Sequence, residues 1–228
     1  MNILIAGANH GLGYSLVKYF ADRGHRTIAG VLEKSDTAAV SALAGDTVFV
    51  CPLDVTDDTC VQSAAALTCE FLGGAQLDVI VNCAGVLLPN DREKKLLDVP
   101  LEEIRATFDI NAMGNIILAK HFLPMLADGG KLFLITSEAG SASSSWWGFP
   151  AYSISKTAAN KIAFVLKASY GDKYDILAIH PGRMKTPMGG AGSEIEPEES
   201  AAGIYELAHR DNRGGAAFVD YLGREMEI

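Results

Sequence analysis

Tyr152 and Lys156, spaced one helical turn apart, are the residues of this chain best suited to moving a proton. The run after them, Thr157 to Phe164, is rich in helix formers and lacks proline, and Pro150 suits a helix entrance. Both side chains are therefore expected on one helix face. A free phenol, with a pKa of about 10, is a poor acid or base at neutral pH. An ammonium held close by favours the phenolate and brings it nearer the range of general acid–base catalysis. Alone, Tyr-x-x-x-Lys is more often an ordinary surface pair, and it gains meaning only from context. Ser137, upstream, ends the strand-like run Lys131 to Thr136.

Alternating strands and helices must position these groups. Ile3 to Ala6 reads as a buried strand, Gly7 breaks it, and Leu12, Leu16, Val17 and Phe20 form a helical stripe ending near Gly24. In that setting Gly7, Gly11 and Gly13 permit a tight turn. They let backbone N–H groups approach a pyrophosphate at the helix amino end, where the dipole favours negative charge. Further strands are expected at His25 to Val31, Thr47 to Leu53, Leu77 to Val81, Tyr174 to His180 and Ala216 to Asp220. Thr56 is expected to cap a helix opened by Asp57 and Asp58. A long helix is expected from Leu101 through Leu126, ended by Asp128-Gly129-Gly130, and another from Pro197 to about Ala208. Leu88 to Asp98 reads as a loop with a short helix.

The alternation predicts a doubly wound parallel sheet in a three-layer α/β/α arrangement, with all 228 residues in one domain. Met184 to Pro197, rich in glycine and methionine, is expected as a mobile lid, with Met184 and Met188 as adaptable apolar contacts. The adjacent Trp146 and Trp147 suit a substrate wall and suit packing against a loop or subunit equally well.

A net charge of −9 argues against a nucleic-acid or anionic-membrane partner, and an apolar content of 49% excludes a disordered chain. No apolar stretch approaches the roughly 18 residues that cross a bilayer, and the opening run Asn2 to Ala6 is too short for a signal-peptide core. Cys51, Cys60, Cys69 and Cys83 lack Cys-x-x-Cys spacing and fall in apolar segments, so buried free thiols in a reducing, cytoplasmic setting are expected. The histidines form no metal-ligand pattern, and no metal is expected.

Taken together, Gly7-Ala8-Asn9-His10-Gly11-Leu12-Gly13, Asn82-Cys83-Ala84-Gly85, Ser137, Tyr152 with Lys156, and Pro181-Gly182 with Thr186 resemble the short-chain dehydrogenase/reductase family, from Ile3 to about Met226. The spacing G-x-x-x-G-x-G is that family's version of the turn. Two departures are Ala6, where the family usually has threonine, and Cys83 in the second place of N-N-A-G. The resemblance implies a Rossmann-type fold and an NAD(P)(H)-dependent oxidoreductase that interconverts a carbonyl and a secondary alcohol of a small apolar or hydroxylated substrate. In it, Tyr152 exchanges the proton with the substrate oxygen and Ser137 holds that oxygen. Lys156 lowers the Tyr152 pKa and binds the nicotinamide ribose. Asn111, a poor interior helix residue, kinks its helix and holds a water joined to Lys156.

The resemblance also implies cofactor contacts. Asn9, His10 and Leu12 belong to the glycine turn, and Asp54 with Val55 contacts the adenine. Asn82, Ala84 and Gly85 support the cofactor at the fourth strand. Pro181, Gly182, Met184 and Thr186 hold the carboxamide side. At the ribose, an acidic side chain would accept from a free 2′-hydroxyl and an arginine would meet a 2′-phosphate. NADP-preferring relatives often have arginine where Leu32 stands, and NAD-preferring ones have aspartate where Val31 stands. Glu33 would repel a phosphate, whereas Lys34 and His10 would attract one, which leans weakly to NADP(H). The endings His180-Pro181-Gly182 and Phe218 to Gly223 are most similar to the small carbonyl-reductase-like and C-factor-like members. A homodimer or homotetramer is compatible. The competing reading is a dinucleotide-sensing regulatory protein with little turnover, which would have no need of Asn111, Ser137, Tyr152 and Lys156 together. A lyase or epimerase of the same broader family is disfavoured by the short carboxyl-terminal part.

Overall fold

The computed structural model describes residues 1–143 and 148–228. Among the described residues seven strands form one sheet: β1 (Asn2–Ala6), β2 (Arg26–Val31), β3 (Val48–Pro52), β4 (Leu77–Asn82), β5 (Leu126–Ile135), β6 (Asp175–His180) and β7 (Phe218–Asp220). Their order is β3-β2-β1-β4-β5-β6-β7, and every neighbouring pair is parallel. Strands buried on both faces explain the continuous apolar runs of the sequence. In β1, Ile3 and Ile5 belong to one core layer and Leu4 and Ala6 to the other, as the period of two requires.

The helices are α1 (Gly11–Ala21), α2 (Ala38–Ser41), α3 (Asp58–Leu72), α4 (Pro89–Glu93), α5 (Leu101–Phe108), α6 (Gly114–Phe122), α7 (Pro150–Tyr170) and α8 (Pro197–Ala208). Leu16 and Phe20 of α1 and Ile204 and Leu207 of α8 fill the core on one face of the sheet. Val61 and Leu72 of α3, Leu118 and Phe122 of α6 and Ala163 of α7 fill the other. This is the three-layer doubly wound arrangement expected. The chain reverses direction across the sheet between β1 and β4, and such a switch point opens a crevice at the strands' carboxyl ends.

Three local expectations need correction. The helix expected from Leu101 to Leu126 is two helices joined by a π-turn at Asp109–Met113. It ends early because Pro124 lacks an N–H, so Leu123–Met125 tightens to a 3₁₀ turn and Asp128 to Gly130 lie within β5. The cap of α3 is Asp57, not Thr56: Asp57 Oδ1 accepts from Thr59 N (2.9 Å) and Cys60 N (3.1 Å). Thr56 instead donates its hydroxyl to Asp54 Oδ1 at 2.7 Å. Finally, Cys51 is buried, but Cys60 and Cys83 are only half-buried and Cys69 is exposed on the outer face of α3. No helix among the described residues is long and apolar enough to cross a membrane.

Candidate active site

A cleft of about 750 Å³ lies at the carboxyl ends of β1, β4, β5 and β6. One wall is the β1–α1 turn. Gly7 has φ +76°, and a Cβ there would lie 2.7 Å from Ala84 N. A Cβ on Gly13 would lie 2.1 Å from Gly7 O. Only glycine permits this packing of turn against helix. The N-cap of α1 is His10, whose side chain makes no capping bond, and the first turn carries no acid. Its orphan N–H groups therefore border the cleft with the positive helix end behind them. That donor set fits a dinucleotide pyrophosphate, and Gly11, Leu12, Gly13 and His10 line the cleft there.

Asn9 does not face the cleft. It is buried and staples the turn to the end of β2, accepting from Leu32 N (2.9 Å) and donating to Leu32 O (3.1 Å) and Asp36 O (3.2 Å). Leu32 is half-exposed beyond that staple. Asp54 is bound up in its own turn, accepting from Thr56 N at 3.0 Å. Val55 is a core side chain against Gly114, which leaves only its backbone for a ligand. Asn82 is also internal: it donates to Asn115 Oδ1 (2.8 Å) and accepts from Ala84 N (3.1 Å), which shapes the turn carrying Ala84 and Gly85. Asn115 in turn donates to Asn111 O at 2.8 Å. Desolvation pushes the thiol of Cys83, the residue that departs from N-N-A-G, up to about 12 against the lowering effect of Lys156.

The opposite wall holds Ser137, Tyr152 and Lys156, all on the cleft. Ser137 closes β5; its Oγ accepts from Ala139 N at 3.1 Å, which leaves its own O–H to donate. It lies beside the Tyr152 phenol and helps hold its pKa down. Burial raises the Tyr152 pKa, and Ser137 and the Arg92 charge oppose that rise without cancelling it. Lys156 is 4% exposed, and burial lowers its pKa to about 8. Its Nζ donates to Ile135 O at 2.9 Å and stands 5.6 Å from the centre of the Tyr152 ring. Ser137 and Arg92 oppose the rise of the Tyr152 pKa, while the Lys156 ammonium is bonded to the main chain.

Asn111 lies in the π-turn, as a kinking residue should. It accepts from Val86 N (2.8 Å) and donates to Val86 O (2.9 Å) and Ser155 Oγ (3.0 Å). A Cβ on Gly85 would meet both Asn111 Oδ1 and Lys156 Nζ at 3.3 Å, so glycine there leaves the two polar groups a shared opening. Pro181, Gly182, Met184 and Thr186 line the cleft beyond β6. Met184 pairs with Ile195 and Lys185 Nζ bonds Glu196 Oε1 at 2.8 Å, which ties the ends of the expected lid together. Trp146 and Trp147 lie outside the described residues.

The sequence reading missed the groups that hold this wall. Asp91, in α4, accepts from Ala151 N and Tyr152 N, each at 2.8 Å. Its neighbour Arg92 lines the cleft, donates to Met188 O at 2.7 Å and lies over the Phe149 ring. His180 accepts through Nδ1 from Glu138 N (3.1 Å), and Glu138 pairs with Arg183 (2.6 Å). Burial lowers the His180 pKa, which preserves the neutral ring this bond needs. None of these partners is near in sequence to what it holds, so no local spacing could have revealed them.

Residues 1–196 match the short chain dehydrogenase family profile. The chain is 34% identical over 209 residues to 1-hydroxy-2-glutathionyl-2-methyl-3-butene dehydrogenase of Rhodococcus sp. (strain AD45), covering 89% of this chain and 88% of the relative. Among solved structures it superposes on NADPH-bound carbonyl reductase from chicken fatty liver with a TM-score of 0.89 and 25% identity, covering 100% of this chain and 98% of the other. It shares its fold with the carbonyl reductase Sniffer of D. melanogaster (TM-score 0.90, 23% identity, 100% and 99% covered). With the cleft at the switch point and the profile match over most of its length, the chain belongs to the short-chain dehydrogenase family and is an NAD(P)-linked oxidoreductase acting on CH–OH and C=O groups.

Proposed function

We propose that the protein interconverts a carbonyl and a secondary alcohol, with Tyr152 as general acid and base. The observation that carries this reading is that Ser137, Tyr152 and the buried Lys156 converge on one cleft. The nicotinamide, when bound, supplies or accepts the hydride. Ser137 holds the substrate oxygen. The Tyr152 hydroxyl gives that oxygen its proton in reduction and takes it back in oxidation. A phenol raised by burial suits the acid role, since it stays protonated at neutral pH. Lys156, with a pKa near 8, bears on the ribose and shares an opening with Asn111 through which a proton can be returned. Gly7, Gly11, Leu12 and Gly13 offer the pyrophosphate their backbone. Ala84, Gly85 and the Pro181 to Thr186 segment border the nicotinamide side, while Leu32, Asp54 and Val55 border the adenosine side.

Leu87, Phe149, Met184 and Met188 make the mouth apolar, which supports a small apolar or hydroxylated substrate closed in by residues 184–197. The relative named for a 1-hydroxy substrate supports an alcohol/carbonyl pair, and the NADPH-bound relative supports the lean to NADP(H). The same reading holds one catalytic domain, a cytoplasmic setting and a homodimer or homotetramer. Tyr152→Phe tests it. With a panel of aldehydes and ketones, followed by nicotinamide absorbance, turnover should fall by roughly 10²–10⁴-fold while cofactor affinity is unchanged. Near-normal turnover would reject the assignment.

A further inference from the structure

A carboxylate buried against the catalytic helix has no part in the mechanism above. Asp91 is 1% exposed, with no cation bonded to it among the described residues. Its two oxygens accept, one each, from Ala151 N and Tyr152 N at 2.8 Å. The first N–H groups of a helix have no partner within the helix, and a side-chain oxygen at the N-cap usually takes one of them. The N-cap of α7 is Phe149, which has no such oxygen and stands in the left-handed region at φ 51°. Pro150 brings no N–H at all. The helix therefore takes its cap from 60 residues upstream, and a charged one, which the positive helix end also favours. One of the two bonds goes to the main chain of the very residue that bears the phenol.

We propose that Asp91 is a positioning residue for Tyr152, clamping the first turn of α7 so that the phenol stays on Ser137. The proposal rests on the reading of Tyr152 as acid and base. Without the clamp the first turn can fray, the phenol drifts from Ser137, and it loses both its aim and one of the two groups that hold its pKa down. Small misplacements of a reacting group cost up to about 10²-fold in rate.

Asp91→Asn tests this with little change of shape. The amide keeps one acceptor and turns an NH₂ toward the other N–H. Well below the melting temperature, kcat should fall by about tenfold or more, with cofactor affinity by nicotinamide fluorescence within about twofold. The limb of the alcohol-oxidation pH profile that reports the phenol should move to higher pH. Amide exchange at Ala151 and Tyr152 should quicken. In a Tyr152→Phe background, Asp91→Asn should cost the residual rate almost nothing, because the two act through one group. Asp91→Ser, which keeps a single acceptor, is used if the amide variant does not fold. A lowered melting temperature with wild-type kcat and pH profile would overturn the proposal, leaving Asp91 a structural cap. Full turnover by Tyr152→Phe alone would instead defeat the reading of the phenol, so the two failures are distinguishable.

Discussion

The two walls of the cleft are made of different material. On the β1 side the working groups are main-chain N–H groups, exposed because glycines let strand, turn and helix touch; Gly7 and Gly13 act by what they lack. On the Tyr152 side they are side chains, each held by a partner from elsewhere: Lys156 by Ile135 O, Tyr152 by Asp91, Glu138 by His180 and the Met188 loop by Arg92. A backbone site depends on space and tolerates most side-chain changes. A side-chain site depends on its partners' charge and hydrogen bonds, so it responds to pH and to distant substitutions. The first suits a common ligand, and the second can be altered to suit different substrates.

The largest contrast should come from adding one methyl group. In Gly13→Ala the new Cβ would lie 2.1 Å from Gly7 O, a distance no real contact reaches, so the turn must open. Cofactor affinity by fluorescence titration should fall by roughly a hundredfold, with a stability loss of about 1–3 kcal/mol. Gly45→Ala, with nothing within 4 Å, is the control and should change neither. Wild-type affinity in Gly13→Ala would break the account of a backbone-built wall.

Next comes Lys156→Met, which should lower turnover and weaken cofactor binding together, since one ammonium serves the proton path and the ribose. Retained affinity would remove the ribose contact. Its stability should also separate the walls by pH. The Lys156 pKa is lowered in the fold from 10.5 to about 8, so the unfolded chain binds more protons between those values and wild type gains stability as pH rises through that window. Below about pH 8 the penalty for burying the charge is fully present. Melting curves should therefore show wild type gaining on Lys156→Met from pH 7 to pH 10, by on the order of 1.4 kcal/mol per pH unit once above the folded value. A pH-independent difference would mean that the lysine keeps its ordinary pKa and stays charged when buried.

The smallest effect is cofactor choice, decided on the exposed rim of the backbone wall. His10, Glu33 and Lys34 are all exposed, and such charges are screened over about 8–10 Å. Both cofactors should be used, with NADP(H) favoured a few-fold in kcat/KM. That preference should shrink at high salt, grow in Glu33→Gln and reverse in a His10→Ala/Lys34→Ala double variant. A strong NAD(H) preference indifferent to salt would show that Glu33, or shape alone, sets the choice.

What the sequence determined by itself is what local spacing can encode. The strand–glycine–helix turn, the parallel sheet and the Tyr152/Lys156 helix each follow from residues close together in the chain, and each stands where the pattern predicts. The kink at Asp109–Met113 was implied by the family resemblance at Asn111, whereas the early stop at Pro124 was missed although one residue carries it. Tertiary structure alone decided which groups tune and hold the phenol. Burial sets the direction of the Tyr152 and Lys156 pKa values, and burial depends on every element packed around them. Asp91 reaches Ala151 across 60 residues, Arg92 reaches Met188 across 96, and His180 reaches Glu138 across 42. A helix or strand is specified by repeats a few residues long, whereas hydrogen bonds and desolvation act through space. No pattern along the chain records which distant residues the sheet will bring to the same cleft.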